Sequence, residues 1–502
     1  MQEANRQGIR RKAMERRVAR HLSIIAAIVL KLAAASNAQT AQPALSAKPN
    51  LAPNKIVTST ASTSVSTTAP LSLDTATNLL INNNLAVVAA RYNVDILRAQ
   101  RIAAGLRPNP TLTFSATQLT IPRVLRHPRE LIETNTNAAD NSTYTLEVDQ
   151  LIERGGKRIL RAEQADLNTQ AADALVRDAL RQQTFQLKQA FFTAVLAREN
   201  LRVAAENLEH FDHTESILRV QVKEGYLAGV DLKRVELQQL QFRRDVVTAG
   251  QSYQQSVRDV LNLIGAGDAP SSASSLQRTS NTSIAFTTSP DIEANLDAVD
   301  GDLEIIPALF WVDDLRRLAI SNRPDVKAAE LALEAARRGL SLAQAQRTRD
   351  VTIGGQYQRA GSDNAVGFVL SVPLATGPRV NAAIAQTTAA ELQAQAQLRL
   401  VKTQALTDVE KAFTAYRVSR DRLRLYTGSA LNTANDVRRI QEIAYRDGAK
   451  GLLDYLDAQR TYNQTLVDYN QTRYDYLMSL YQLEYATGAA LVKEQSQRAT
   501  GK

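Results

Sequence analysis

The sequence predicts a mainly helical, duplicated subunit: two helix–strand–strand–helix halves whose short strands are suited to a membrane. Three observations predict it. Blocks of residues recur in order in the two halves, four segments alternate apolar with polar residues, and two long stretches contain no proline.

The amino end comes first. Residues 1–38 hold eight Lys/Arg against Glu3 and Glu15, with an apolar run Leu22–Leu30 and then Lys31. Ser36-Asn37-Ala38 satisfies the small-x-small cleavage rule, so residues 1–38 read as a secretory signal peptide cut before Gln39. The run is about half of what spans a bilayer, which argues against an anchor. The basic excess of the whole chain, +9, resides mostly in this segment, so it does not point to nucleic acid. Cysteine is absent, which excludes disulfides, thiolate metal sites and a lipid-bearing N-terminal Cys. Residues 39–72 are rich in Ala, Thr, Ser and Pro and read as a disordered leader.

The first half spans 73–265 and the second 312–488, joined by a Ser/Thr-rich linker segment, 266–311, and followed by a tail, 489–502. Asn83–Ala90 parallels Asn322–Ala329, and Leu112-Thr113-Phe114 parallels Val351-Thr352-Ile353. Gly225–Asp231 parallels Gly448–Asp454, and Gly265 parallels Gly488. The two sets have different offsets, which places extra residues of the first half in a longer loop, Thr120–Asn141.

Strands are expected at about 111–119, 143–152, 351–359 and 365–374. In the first, Leu112, Phe114 and Ala116 alternate with Thr113, Ser115 and Thr117. In the last, Val366, Phe368, Leu370 and Val372 alternate with Gly367, Val369 and Ser371. This period of two fits lipid on one face and water on the other. Lys157–Glu224 and Arg379–Asp447 then read as helices that reach roughly 100 Å at about 1.5 Å per residue. Leu180, Leu187, Ala194, Leu201 and Leu208 recur every seven residues, a coiled-coil seam, flanked by small residues such as Ala190, Ala197 and Ala204. After residue 38 no apolar run is long enough for a transmembrane helix, so any spanning structure must be a barrel. Four strands cannot close one, and open edges are not tolerated in lipid. Three copies supply twelve strands and cyclic closure.

Several motifs sharpen the reading: Leu106–Leu112 (LRPNPTL) before the first strand, Asp149–Arg158 (DQLIERGGKR) after the second, and Tyr445–Gly448 continuing to Leu453–Arg460 (LDYLDAQR). With the duplication, they resemble the TolC-type outer-membrane efflux family from about residue 73 to 488. The first two are similar to its heavy-metal branch, the partners of cobalt–zinc–cadmium and copper–silver exporters. The resemblance implies a homotrimer with a twelve-strand β-barrel above a twelve-helix periplasmic α-barrel, in the outer membrane of a Gram-negative bacterium. It implies a passive exit duct for solutes, heavy-metal cations first, working with a periplasmic adaptor (membrane fusion protein) and an inner-membrane proton-driven pump. No cofactor and no enzymatic activity are expected. Drug or organic-solute efflux and type I secretion remain alternatives within the family. A periplasmic adaptor or a coiled-coil scaffold is the alternative of another class.

The resemblance also assigns candidate residues. Asp454 and Asp457, three apart and hence on one helix face, match the family's entrance aspartates and are expected to form the pore constriction. Tyr445 and Lys450 match its gating links, with Lys450 in place of the more frequent arginine. The tips that dock the adaptor are expected at Gly225, Tyr226, Leu227, Gly229 and Asp231, and at Gly448, Gly451 and Leu452. The glycines give the turns their freedom, and an aspartate is expected to cap each following helix. The first half carries Asp231 and Arg234 where the second has Asp454 and Asp457, so its face is not doubly acidic. His210 and His213, with Glu206 and Glu209 nearby, read as a solvated helix face rather than metal ligands, since a duct that holds metal tightly would clog.

Overall fold

The computed structural model describes residues 70–117, 143–225, 228–266, 298–361, 363–374 and 377–492. The signal peptide, most of the leader, the loop 120–141, most of the linker and most of the tail lie outside the described residues.

The first half begins with β1 (Leu71–Ser72), α1 (Leu73–Asn83) and α2 (Leu85–Gly105). Then come β2 (Thr111–Thr117), β3 (Thr143–Ile152), α3 (Lys157–Lys223) and α4 (Gly229–Leu263). After β4 (Val299–Asp300) the second half repeats the order: α5 (Val312–Asn322), α6 (Pro324–Ala345), β5 (Val351–Ala360), β6 (Asp363–Ser371) and α7 (Gly377–Leu425). A π-helical turn, Tyr426–Ala430, leads into α8 (Leu431–Arg446), and α9 (Leu452–Thr487) closes the series. Among the described residues no helix is long and apolar enough to cross a membrane.

The duplication extends to backbone detail. Gly265 (φ +73°) ends α4 against Asn83, and Gly488 (φ +70°) ends α9 against Asn322 and Arg323. Each glycine occupies the left-handed region that ordinary residues avoid, and a Cβ at either meets backbone at 3.0–3.3 Å. Beside them, Asn84 donates from Nδ2 to the Leu263 carbonyl at 2.9 Å. Arg323 donates to the equivalent carbonyl, Ala486, at 3.3 Å. Asn84 also caps α2 through Oδ1, which accepts from the Ala86 and Val87 amides. Arg323 instead reaches Asp325 at 2.7 Å and Asp408 at 3.0 Å. Only 4% of its side chain is exposed, so its charge is held by these two carboxylates rather than by water.

The largest core lies where both halves meet. Leu187, Phe191 and Ala194 of α3 join Leu80 of α1, Leu315 of α5, Val409 and Tyr416 of α7, and Leu477 and Leu483 of α9. Three of the seam residues, Leu187, Ala194 and Leu201, are at most 2% exposed, which is what a heptad seam requires. The parallel β1–β4 pair and the segment after it lie across this core. Arg198 donates to the carbonyls of Val299 and Gly301, both at 2.6 Å. Arg473 donates to Leu303 at 2.8 Å, and the Tyr476 hydroxyl to Ile306 at 2.7 Å. These side chains satisfy carbonyls that an irregular segment leaves without ladder partners.

The sheet runs β2-β3-β5-β6, antiparallel throughout. Cross-strand partners share a face. The pairs Phe114–Leu146, Leu146–Tyr357, Ile353–Leu370 and Tyr357–Val366 therefore build one apolar face. Thr113, Glu147 and Gln356 lie on the other. Phe114, Val366 and Phe368 are 66–72% exposed, a large apolar surface that the described residues leave uncovered. Ten residues of β5 extend about 34 Å, or about 24 Å along a barrel axis at a 45° tilt, which matches an outer-membrane apolar band.

One expectation needs correction. The second long helix is not continuous from Arg379 to Asp447. The π-turn at Tyr426–Ala430 interrupts it, at Thr427-Gly428-Ser429, three residues of weak helix propensity in a row.

Candidate functional site

Beyond the sheet, the candidate site is the opposite end of the helices, where two hairpins turn. In the second hairpin α8 ends through a Schellman-type closure. Gly448 (φ +72°) lets the Ala449 amide reach back to the Ala444 carbonyl at 2.8 Å, and the Gly448 amide to Tyr445 at 3.0 Å. Lys450, exposed on the turn, also donates its amide to Ala444 at 3.1 Å. Gly451 is the N-cap of α9, and no side chain caps that end. The expected aspartate cap is therefore absent here. Asp454 stands in the first turn instead, where its charge suits the helix dipole.

Asp454 and Asp457 are both exposed and share a face of α9, one turn apart. The buried neighbours Ala458 and Gln459 mark the side of α9 that packs inward. The aspartates thus project from the packed bundle. Tyr445, half-buried, stacks on Tyr455 with ring centroids 5.7 Å apart at 10°. It also packs, with Leu452 and Leu456, against a second small core of Phe211, Leu218 and Val235. This core ties the two hairpins together at their tips. Sequence reasoning missed Tyr455 and the core, and the aromatic pair ten residues apart across a glycine turn is the signal that was available for Tyr455.

In the first hairpin Gly225 has φ +83° and donates its amide to Val222 at 3.1 Å. Tyr226 and Leu227 lie outside the described residues. The helix α4 starts at Gly229 after Ala228, again without a side-chain cap, and Asp231 lies in its first turn. His210 and His213 are exposed on α3. Their backbone carbonyls accept from Thr214 at 2.9 Å and Ser216 at 2.6 Å. Among the described residues no group of three or more His, Cys, Asp or Glu side chains is arranged to hold a metal ion.

Where the sheet joins the long helix, a third cluster forms. Lys157 Nζ meets Asp350 at 2.9 Å and the Thr348 carbonyl at 2.7 Å, while the Arg154 amide donates to the same carboxylate. Burial opposes the Asp350 charge, yet Lys157 and that amide together hold its pKa below the usual carboxylate value. Gly155 (φ +72°) packs against Thr348, a Cβ there lying 2.9 Å from its side chain. The Gly155-Gly156 motif thus fastens the first half's strand-to-helix turn to the second half. Nothing in this arrangement resembles a nucleophile with its base.

Comparison with known proteins bears on the fold rather than on individual side chains. Residues 315–489 match the family model described as outer membrane efflux protein. The chain is similar to the cobalt-zinc-cadmium resistance protein CzcC of Cupriavidus metallidurans, 22% identical, over 79% of this chain and 85% of that one. It is also similar to nodulation protein T of Rhizobium leguminosarum bv. trifolii, 23% identical, over 77% and 78%. Among solved structures, CusC, whose transmembrane channel formation was described, superposes with a TM-score of 0.64 at 18% identity. The match covers 83% of this chain and 92% of that one.

Proposed function

We propose that this chain is a member of the outer membrane efflux protein family, whose model matches residues 315–489, and that it is the exit duct of a three-part export system for heavy-metal cations. It is an outer-membrane channel with a periplasmic helical tunnel, and not an enzyme. The observation that carries the channel reading is the four-stranded sheet with an uncovered apolar face and two free edges, β2 and β6. In lipid those edges must pair, and among the described residues of one subunit no strand is left to pair them. Three copies close a twelve-strand barrel, and the helices continue it into the periplasm.

The paired carboxylates supply the chemistry at the entrance. Under threefold symmetry Asp454 and Asp457 form two stacked rings of three. At an effective dielectric near 20, like charges ~10 Å apart repel by about 1–2 kcal/mol per pair. Rings of this kind attract cations and reject anions. Tyr445 and Lys450, beside the turn, hold the entrance shut. The tips at Gly225–Asp231 and Gly448–Leu452 meet the periplasmic adaptor, which connects the duct to an inner-membrane pump. The likeness to the cobalt-zinc-cadmium resistance protein favours metal cations as cargo.

Deleting the gene and measuring growth tests the cargo. Sensitivity to cobalt, zinc or cadmium, restored by the intact chain, is expected. Sensitivity confined to organic compounds would replace the metal reading with organic-solute export.

A further inference from the structure

The order of packing in one subunit repeats at three levels. The sheet runs β2-β3-β5-β6. In the helices beside it, α2 packs on α3, α3 on α6, and α6 on α7. Toward the tips, α4 packs on α3, α3 on α9, and α9 on α8. At every level the outer element on one side comes from the first half (β2, α2, α4) and on the other from the second (β6, α7, α8).

The outermost tip helices carry apolar side chains that the described residues leave uncovered. On α8, which buries no residue at all, Val437, Ile440 and Ile443 are 45%, 60% and 50% exposed. They stand three apart, one stripe on one face. On α4, Val230, Leu237, Leu240 and Val247 are 54–66% exposed, with spacings of seven, three and seven that trace a coiled-coil seam.

From this we infer that α8 of one subunit packs antiparallel against α4 of the next, with Ile440 opposite Leu237 and Val437 opposite Leu240. The inference rests on the trimeric reading and assigns its tip-level interface. A second copy of this chain is the occupant because the seams lie on the same two sides of the subunit as the free strand edges. Cyclic symmetry pairs unlike sides, head to tail. The register follows from height above the turns. Ile440 precedes Gly448 by eight residues, and Leu237 follows Gly229 by eight, so each stands about 12 Å above its turn at about 1.5 Å per residue. The shared core of Phe211, Leu218, Val235 and Tyr445 keeps the two turns side by side. Charge agrees: Arg439 of α8 falls within about 3 Å of the level of Glu236 of α4.

The chain has no cysteine, so introduced thiols report alone. Leu237→Cys and Ile440→Cys in one chain, oxidised in detergent, are expected to give disulfide-linked dimers and trimers on a non-reducing gel. Each single variant should stay unlinked, and coexpressed single variants should stop at dimers. Val437→Cys with Leu240→Cys repeats the test should the first pair misfold. Linkage within one chain, linkage of a single variant to itself, or an intact trimer with neither pair linked overturns the inference alone. A monomer in detergent overturns the trimeric reading as well.

Discussion

Replacing Phe368 with arginine probes the orientation of the sheet, on which the channel reading depends. Phe368 lies mid-strand in β6, opposite Gly355, 70% exposed on the apolar face. One step along the ladder, Gln356 pairs with Gly367 and projects from the other face. The two positions differ in depth by about 3 Å, the rise of one strand residue, so arginine at either stands at nearly the same level of the bilayer. If the apolar face meets lipid, Phe368→Arg places a charge near the midplane and costs about 2–4 kcal/mol per subunit. At 1.36 kcal/mol per tenfold, that is roughly a 30- to 900-fold shift in the folding equilibrium of each subunit. Gln356→Arg faces water and should stay within ~0.5 kcal/mol of the parent. The assay is refolding into liposomes across a urea series, read by the mobility of the folded oligomer on unheated gels. Equal midpoints for the two arginine variants, or a larger loss for Gln356→Arg, would refute the assignment of lipid and lumen faces.

Replacing Asp454 and Asp457 together with alanine should abolish cation preference in single-channel recordings while leaving assembly intact; unchanged ion selectivity removes these carboxylates from the pore. Arg323→Ala strands Asp325 and Asp408 in a half-buried site and should destabilise the subunit by about 3–5 kcal/mol, seen as a lower urea midpoint. Burial opposes ionisation of Asp325, but the hydrogen bond and charge of Arg323, with the charge of Arg181, outweigh it and depress its pKa below 3.8. That stability is full above the ordinary carboxylate pKa and is lost as pH falls through the depressed value. Acid sensitivity below about pH 4 should therefore be blunted in Arg323→Ala, and an identical acid profile in variant and parent speaks against the linkage. Gly488→Ala meets both a left-handed backbone and the chain at Asn322, 3.3 Å from its Cβ, and should cost about 1–3 kcal/mol; a neutral result means the α9 end shifts freely.

Much of this molecule was legible in one dimension, because its physics is periodic. Alternation in β2 and β6 and the heptads of α3 reflect which side of an element meets water, and that depends on composition along a single strand or helix. The positive-φ turns at Gly225 and Gly448 were legible for a related reason, since backbone freedom is a property of one residue. The aspartate cap was misread because a cap depends on where the helix begins, and α9 begins at Leu452, which puts Gly451 rather than Asp454 at its N-cap. The π-turn at Tyr426–Ala430 was missed because one local change of hydrogen-bond register leaves little trace in a pattern of apolar residues.

The sequence by itself determined the elements, their duplication and the chemistry displayed on each face. Only the tertiary structure decided the order in which they pack. It showed that α4 and α8 stand on the outside, that Tyr445 stacks on Tyr455, and that Arg323 lies between Asp325 and Asp408. Those pairings join residues far apart along the chain or across a turn. The energy that selects them comes from shape and charge in three dimensions, which no spacing along the chain encodes.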